Sequence, residues 1–347
     1  MIESFGSLES RRDDWSRLAE RSRNIFATWE WAATWWDHYG GNASPAFRAC
    51  RGSNDEVFAI LPLYVTRRGR LRLLRFLGHG RGDVLGPICA EGDEPAAGAA
   101  LARTIAERPR RWHLFLAERL PRGPIAAAIG GTRMQTEANP YLEIAGSSWD
   151  DFLAGISRKL RGNIRRSARR LEEEHEVHYR LSDDPARLDA DLDLLMRLHA
   201  ARWGTEGAFE GKAEAFHRDF AHRALDAGWL RLWVMEVDGR PVAVWYGFRF
   251  EGVDFFYQSG RDQAWDQHSV GFQLVVQTIR CAFDDGMHRY AFLRGDEPYK
   301  DRFANFDLGL ETRAVGRGPL SSSLVAGGTA VIDRAPAVRR RLVRLVG

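Results

Sequence analysis

Two turn dipeptides, Asp238-Gly239 and Glu251-Gly252, cut the run from Trp229 to Ser259 into three segments rich in β-branched and aromatic residues. Asp-Gly between such segments is a strong hairpin signal, because both central positions accept positive φ. Glu-Gly makes a second, weaker one. An antiparallel meander of three strands is therefore predicted. A polar loop, Gly260 to Ser269, follows it, and then Gly271 to Phe283 repeats apolar residues at helical spacing through Leu274, Val275, Thr278 and Ala282. A short strand, Arg289 to Leu293, runs into Arg294-Gly-Asp-Glu-Pro-Tyr-Lys300.

The order of three strands, loop, helix and strand has a chemical consequence. A helix entered from a loop presents unpaired backbone N–H groups and the positive end of its dipole, which together suit a diphosphate. Gly271 at the entrance lets the backbone come close to such a ligand. It also fits an ordinary helix start, and both readings are open on the glycine alone.

Four further stretches carry a resemblance: Phe152 to Arg166, Leu198-His-Ala-Ala-Arg-Trp203, Ser269-Val270-Gly271 and Leu293 to Lys300. With the meander they resemble the acyl-CoA-binding half of the GNAT acetyltransferases. Within it they are similar to the branch associated with bacterial cellulose and exopolysaccharide synthesis (CelD-like), itself similar to the FemAB peptidyltransferases. The resemblance spans roughly residues 150 to 310, about the size of an intact domain. Where that family has Pro-Gly, this chain has Val270-Gly271, which bears on the shape of the loop.

At 347 residues, two domains are expected. The first half reads helix, three strands, helix, strand, helix, strand: a helix capped by Thr28 through Tyr39, strands over Ala46–Cys50, Val57–Val65 and Leu71–Leu77, helices over Glu94–Arg108 and Pro124–Ile129, and strands Trp112–Leu116 and Tyr141–Ile144. The second half repeats a similar order without sequence identity. The expected fold is α/β (α+β), two GNAT-like lobes, each a mixed and mostly antiparallel sheet flanked by helices. The boundaries read 1–147 for the first lobe, 148–315 for the acyl-CoA-binding lobe and 316–347 for a linker and basic amphipathic tail. In the first lobe Trp31, Trp35 and Trp36 with His38 fit either core packing, the commoner fate of large aromatics, or a stacking surface. The loop Leu77 to Asp83 carries His79, Arg81 and Asp83 on glycine-rich backbone but lacks the spacing of a phosphate fingerprint.

Ser148 opens the second half as a cap. From Trp149 one helix is predicted, with Phe152, Ile156, Leu160, Ile164 and Leu171 on its apolar face. Arg169 and Arg170 reach Glu173 and Glu174 at i,i+4. Arg158, Lys159, Arg161, Arg165 and Arg166 have no such partner, and an anion would relieve their repulsion. CoA phosphates, a nucleotide-linked sugar and acidic lipid are the candidates, with a solvated charged face as the plain alternative. Leu188 to Trp203 reads as a further helix with His199 near its end, and Phe216, Phe220 and Leu225 mark another.

Direct acyl transfer from a thioester needs four things: a held diphosphate, an extended partner for the pantetheine arm, a donor to the developing oxyanion, and a route for the acceptor's proton. Chain order supplies the first through His268, Ser269, Val270, Gly271 and Phe272, and the second through the strand ending at Gln258 and Ser259. For the others the candidates are Gln258, His199, Asp296, Glu297, Tyr299 and Lys300. The resemblance implies Lys300 as an oxyanion or phosphate partner, Tyr299 as a proton donor, and His199 with Trp203 on the acceptor side. Capping of the strand end is the structural alternative for Tyr299 and Lys300. The function expected is that of an acyltransferase, N- or O-directed, using acetyl-CoA or another acyl-CoA. Its acceptor would be a small molecule, a sugar or an envelope polysaccharide precursor. The alternative is an aminoacyl-tRNA-dependent or non-catalytic FemAB-like partner in envelope synthesis.

Composition limits other classes. A net charge of +3 argues against a dedicated nucleic-acid binder. No run reaches the ~18 apolar residues of a membrane span, and the first residues lack a signal pattern, so a cytoplasmic location is expected. Cys50, Cys89 and Cys281 give neither a disulfide framework nor a metal spacing, and no metal is expected. No Ser-His-Asp triad or Walker loop is apparent. The tail Ala337 to Val346 sets Val338, Leu342 and Leu345 against arginines. Peripheral association with an anionic membrane is one use of it, though its shortness argues for docking on the protein or fraying.

Overall fold

Asp238 and Gly239 both take positive φ, +50° and +73°, and Glu251 and Gly252 do the same at +47° and +75°. Both are therefore tight turns whose twist matches the flanking strands, and the meander forms where the sequence places it. The structure, a computed structural model, describes residues 1–107, 112–144, 146–203 and 208–316, without the side chains of 202 and 203. The tail from 317 on and the side chain of Trp203 lie outside the described residues.

The chain divides into two units, one of residues 1–138 with the strand after 308, the other of residues 139–307. The first begins with β1 (Ile2–Ser4), α1 (Arg12–Ser22) and α2 (Trp29–Tyr39). It continues through β2 (Ser44–Pro45), β3 (Arg48–Arg51), β4 (Val57–Leu61), β5 (Leu63–Arg68), β6 (Leu71–Phe76), β7 (Ile88–Cys89), α3 (Glu94–Ala106), β8 (Leu114–Pro121), α4 (Pro124–Ile129) and β9 (Thr132–Glu137). The second holds β10 (Pro140–Glu143), α5 (Trp149–Gly155), α6 (Arg158–Glu174), β11 (Val177–Leu181), α7 (Pro185–Trp203), α8 (Lys212–Asp226), β12 (Leu230–Val237), β13 (Arg240–Phe250), β14 (Val253–Arg261), α9 (Val270–Asp284), β15 (Arg289–Ala291) and β16 (Phe306–Asp307). The last strand, β17 (Leu310–Gly316), returns to the first unit.

Thr28 caps α2 by accepting the Trp31 N–H at 3.2 Å. Trp31 and Trp35 are buried, so this aromatic cluster is core. Trp15 and Leu18 of α1 are buried as well, so the polar N-terminal stretch conceals an amphipathic helix. The expected strand Val57–Val65 is two strands in two sheets. Pro62 has no N–H to give to a ladder, and the chain changes sheet there, β4 joining β1-β3-β4-β7 and β5 joining β2-β5-β6-β8-β17-β9.

The second unit has one sheet, in the order β11-β12-β13-β14-β15-β10-β16. All its pairs are antiparallel except β14 with β15, which are joined by the crossover helix α9. The first unit repeats the device: β5 and β6 are antiparallel, and β6 pairs parallel with β8 after α3. The second unit is thus a mixed, mostly antiparallel sheet flanked by helices, and the first unit holds a mixed six-stranded sheet and an antiparallel four-stranded one. The boundaries at 147/148 and 315/316 separate two strands from their sheets. β10 lies before the first boundary yet pairs with β15 and β16, and β17, all but Gly316, lies before the second yet pairs with β8 and β9.

The single helix expected from Trp149 is two. Ser148 and Asp151 form a reciprocal capping box that starts α5. Ile156 is extended, and Ser157 starts α6 by accepting the Leu160 N–H at 3.2 Å. The Arg161 guanidinium then donates to the carbonyls of Leu153 and Ala154, at 2.8 and 3.1 Å, closing the end of α5. No helix among the described residues is long and apolar enough to cross a membrane.

Candidate functional site

The expected polar loop from Gly260 to Ser269 is shorter in the structure, because β14 runs on to Arg261 and residues Gln263–His268 wind into a 3-10 turn. Asp262 starts that turn by accepting the Ala264 N–H. Ser269 then takes a left-handed conformation, φ +54°, and α9 begins without a side-chain cap and without an acid in its first turn. The N–H groups of Val270, Gly271 and Phe272 are those that helix geometry leaves unpaired. Gln273, buried, holds the entry in place by donating to Ser167 O at 2.9 Å and His268 O at 3.1 Å.

A cleft of about 330 Å³ opens beside this helix start, lined among others by Trp245, Phe256, Ser259, Arg261, Gly271 and Tyr299. Its shape follows from a strand that loses its neighbour. β14 pairs with β15 only over Val253–Phe255, β15 ends at Ala291, and β14 continues from Phe256 to Arg261 with no strand among the described residues on that side. A β-bulge in the same stretch, where the register with β13 shifts between Tyr246 and Gly247, re-aims the side chains at the divergence. Arg261 reaches from the strand end across Gly271, where a Cβ would lie 3.0 Å from its Cδ, and pairs with Asp266 at 2.6 Å. Sequence reasoning did not single out Arg261. The signal was there: in a strand of period two it lies on the face of Ser259.

The other face of β14 packs on α7. Gly260 permits this, since a Cβ there would meet the backbone N of His199 at 2.6 Å. His199 is buried, 4% exposed, and its Nε2 lies 3.2 Å from Gln258 Oε1. The pair is a second layer behind the strand, and neither residue lines the cleft.

The segment after β15 turns through Leu293, a non-glycine at φ +57°, and Gly295 at φ +123°. Tyr299 lies half-buried at the cleft, its ring 6.4 Å from that of Phe256. Lys300 points inward. Its Nζ donates to Arg294 O at 2.8 Å and Leu293 O at 3.3 Å and pairs with Glu297 at 2.9 Å, at 4% residue exposure. Two of the ammonium's donors are used on those carbonyls, and the ion pair with Glu297 offsets its charge. Asp296 is exposed on the same segment.

The site residues therefore divide. Ser259, Ser269, Gly271, Phe272 and Tyr299 come together on the cleft, while Val270 is buried beneath it. The His268 side chain turns to the end of α6, its Nδ1 being 3.8 Å from Glu174 Oε2. Arg158, Lys159, Arg165 and Arg166 are exposed on α6, and no carboxylate among the described residues pairs with them. Arg161 is spent on α5. Arg169–Glu173 and Arg170–Glu174 pair at i,i+4 as expected. Burial pushes the Cys50 thiol up to about 11 and that of Cys89 up to about 12, and raises Cys281 too, so none is an activated nucleophile.

Residues 158–301 match the family model described as "Acetyltransferase (GNAT) domain". That span runs from α6 to the Lys300 segment and contains the whole cleft. No curated protein matches the chain. Among solved structures, the chain is similar to FemX, with a TM-score of 0.63 at 10% identity over 90% of this chain and 96% of that one. It is similar to a Bacteroides thetaiotaomicron VPI-5482 protein of unknown function, with a TM-score of 0.58 at 15% identity over 92% and 100%. It is also similar to the C-terminal domain of a putative lysylphosphatidylglycerol synthetase from Agrobacterium fabrum, with a TM-score of 0.57 at 12% identity over 94% and 97%. At such identities the likeness is one of fold. With the domain match, the chain is an enzyme, an acyltransferase whose residues 158–301 match a GNAT domain.

Proposed function

We propose that this acyltransferase takes its acyl group from a CoA thioester, acetyl-CoA first, and passes it by direct attack to an amine or hydroxyl on a sugar or envelope-polymer precursor. One observation carries the reading: the strand segment Phe256–Arg261, which β15 does not accompany, leads through one 3-10 turn to a helix start with no side-chain cap and no acid. An extended pantetheine arm pairs with such a segment as a strand does, and a diphosphate fits the N–H groups of Val270, Gly271 and Phe272. Arg261, released from Asp266, adds a guanidinium to the phosphates.

In this reading the acceptor attacks the thioester carbonyl beside Phe256 and Ser259, and backbone N–H groups of the diverging strand stabilise the oxyanion. When the tetrahedral intermediate collapses, the C–S bond breaks, Tyr299 gives its proton to the leaving thiolate, and the proton that the attacking amine or hydroxyl loses restores the Tyr299 hydroxyl. Lys300 acts through the shape of the Leu293–Lys300 segment that presents Tyr299. The exposed cations Arg158, Lys159, Arg165 and Arg166 suit an anionic acceptor such as a nucleotide-linked sugar.

Calorimetric titration with acetyl-CoA, with desulfo-CoA beside it, tests the donor. Saturable binding of both, abolished by Gly271→Glu in a folded protein, is the expected result. Absence of binding would remove the CoA reading. It would favour an aminoacyl donor, the second reading, which the fold likeness to FemX supports.

A further inference from the structure

The helix α6 ends in Glu174, and His175 follows as its C-cap. Both face His268, the last residue of the turn before α9. Suitable ligand atoms of the three residues all lie within 4.8 Å of one another. His175 is already oriented, its Nδ1 2.7 Å from Asp238 Oδ2, and Asp238 is itself fixed by accepting the Glu176 N–H at 3.0 Å. That leaves Nε2 of His175 as its outward nitrogen. His268 is 8% exposed, and its Nδ1 is buried with no hydrogen-bond partner. The nearest carboxylate oxygen, on Glu174, stands 3.8 Å away.

A hydrogen-bonded histidine network explains the Asp238–His175 pair. It does not explain His268, because a buried polar atom left without a hydrogen bond is unfavourable. We propose that Glu174, His175 and His268 bind a divalent transition cation of the zinc class, clamping the end of α6 to the turn that precedes α9. Two imidazoles and one carboxylate with an open position match Zn²⁺ or Co²⁺ rather than Mg²⁺ or Ca²⁺, which take oxygen sets. Asp238 behind His175 is the outer carboxylate that such a histidine ligand uses. The carbonyl end of α6 adds a favourable field for a cation.

The fit needs a small closure. Ligand atoms about 2.1 Å from one tetrahedral ion are about 3.4 Å apart. Glu174 can supply the movement, since its side chain is 49% exposed and its ion pair with Arg170 is as long as 3.6 Å. Binding displaces any proton on His268 Nδ1, and Nε2 then carries the proton. The neighbouring Gln267 amide, 3.3 Å away, accepts it once a half-turn presents its oxygen.

The test uses the full chain, stripped with a chelator and titrated with Co²⁺ and Zn²⁺ without any CoA. Trp265 provides a reporter, its ring 5.0 Å from His175 and 5.4 Å from His268. The expected result is one equivalent of Co²⁺, visible d–d absorption of a four-coordinate ion, quenching of Trp265, and displacement by Zn²⁺. His268→Gln and His175→Gln should each weaken binding at least about 100-fold, and Asp238→Asn about 10–100-fold. His178→Gln, at an exposed histidine paired with Glu176, should leave it unchanged. Glu174→Gln, at an exposed position, gives a variant that folds if His268→Gln does not. No saturable binding by folded wild-type protein, or equal binding by the His175 and His268 variants, would overturn the proposal.

Discussion

Tyr299 and Lys300 are neighbours in the chain with opposite surroundings, and their substitutions should separate. Tyr299→Phe removes one hydroxyl at the cleft. If it protonates the leaving thiolate, kcat should fall about 10²–10⁴-fold with acyl-CoA affinity kept, as single-turnover kinetics and titration would show. Equal turnover would dismiss the role. Lys300→Met should act on stability. It strips partners from Leu293 O, Arg294 O and Glu297. Glu297 is half-exposed, so the loss should be about 2–3 kcal/mol, below the full cost of a broken buried pair, and visible in the urea midpoint. The sequence placed both residues at the end of the last short strand; the direction of the ammonium came from the folding of the segment around Leu293 and Gly295.

Elements meet where small residues or paired charges let them. Gly260→Ala would drive a Cβ into the α7 backbone at His199 and Leu198, so a loss of about 1–3 kcal/mol is expected, with cleft affinity reduced as β14 moves. A second junction is ionic. Arg180 of β11 donates to both oxygens of Asp191 on α7, at 2.6 and 2.7 Å, and to Glu236 on β12 at 2.7 Å. Burial alone would raise the Asp191 carboxyl, but the bonds and charge of Arg180, with Ser182 and Arg187, together outweigh it and hold the group below its usual value. A carboxyl depressed in the folded state lends stability above its unfolded value, near pH 4, and loses it as pH falls through the folded value. Wild-type stability should therefore fall more steeply than that of Asp191→Asn below about pH 4 in urea titrations. Parallel curves would show that the pair contributes nothing to acid sensitivity. Local signals anticipated these elements well, Ser148 and Thr28 as caps and the two Gly turns of the meander. They missed the break before Ser157, although Gly155 followed by a capping serine is its signature.

At the scale of the molecule, the chain exchanges strands between its lobes' sequence territories. β17 lies in the first unit's sheet with β8 on one side and β9 on the other. Ending the chain after Asp307 should leave both edges bare. Limited proteolysis should then cut within residues 112–137 at times when the full chain resists, and unchanged protection there would show that the first unit does not depend on β17. The sequence by itself determined the meander and its turns, placed a helix after the loop at Gly271, and carried the resemblance of the second half to the GNAT acetyltransferases. The meander, its turns and that helix are each written in a few adjacent residues through φ preference or period, whereas the absence of a cap at Ser269 was decided by the structure. The tertiary structure alone decided that β10 and β17 change units and that Arg261 lies over Gly271. It alone turned Lys300 inward and brought Glu174 and His175 to His268. Those depend on contacts between residues distant in sequence, for which no local preference carries information.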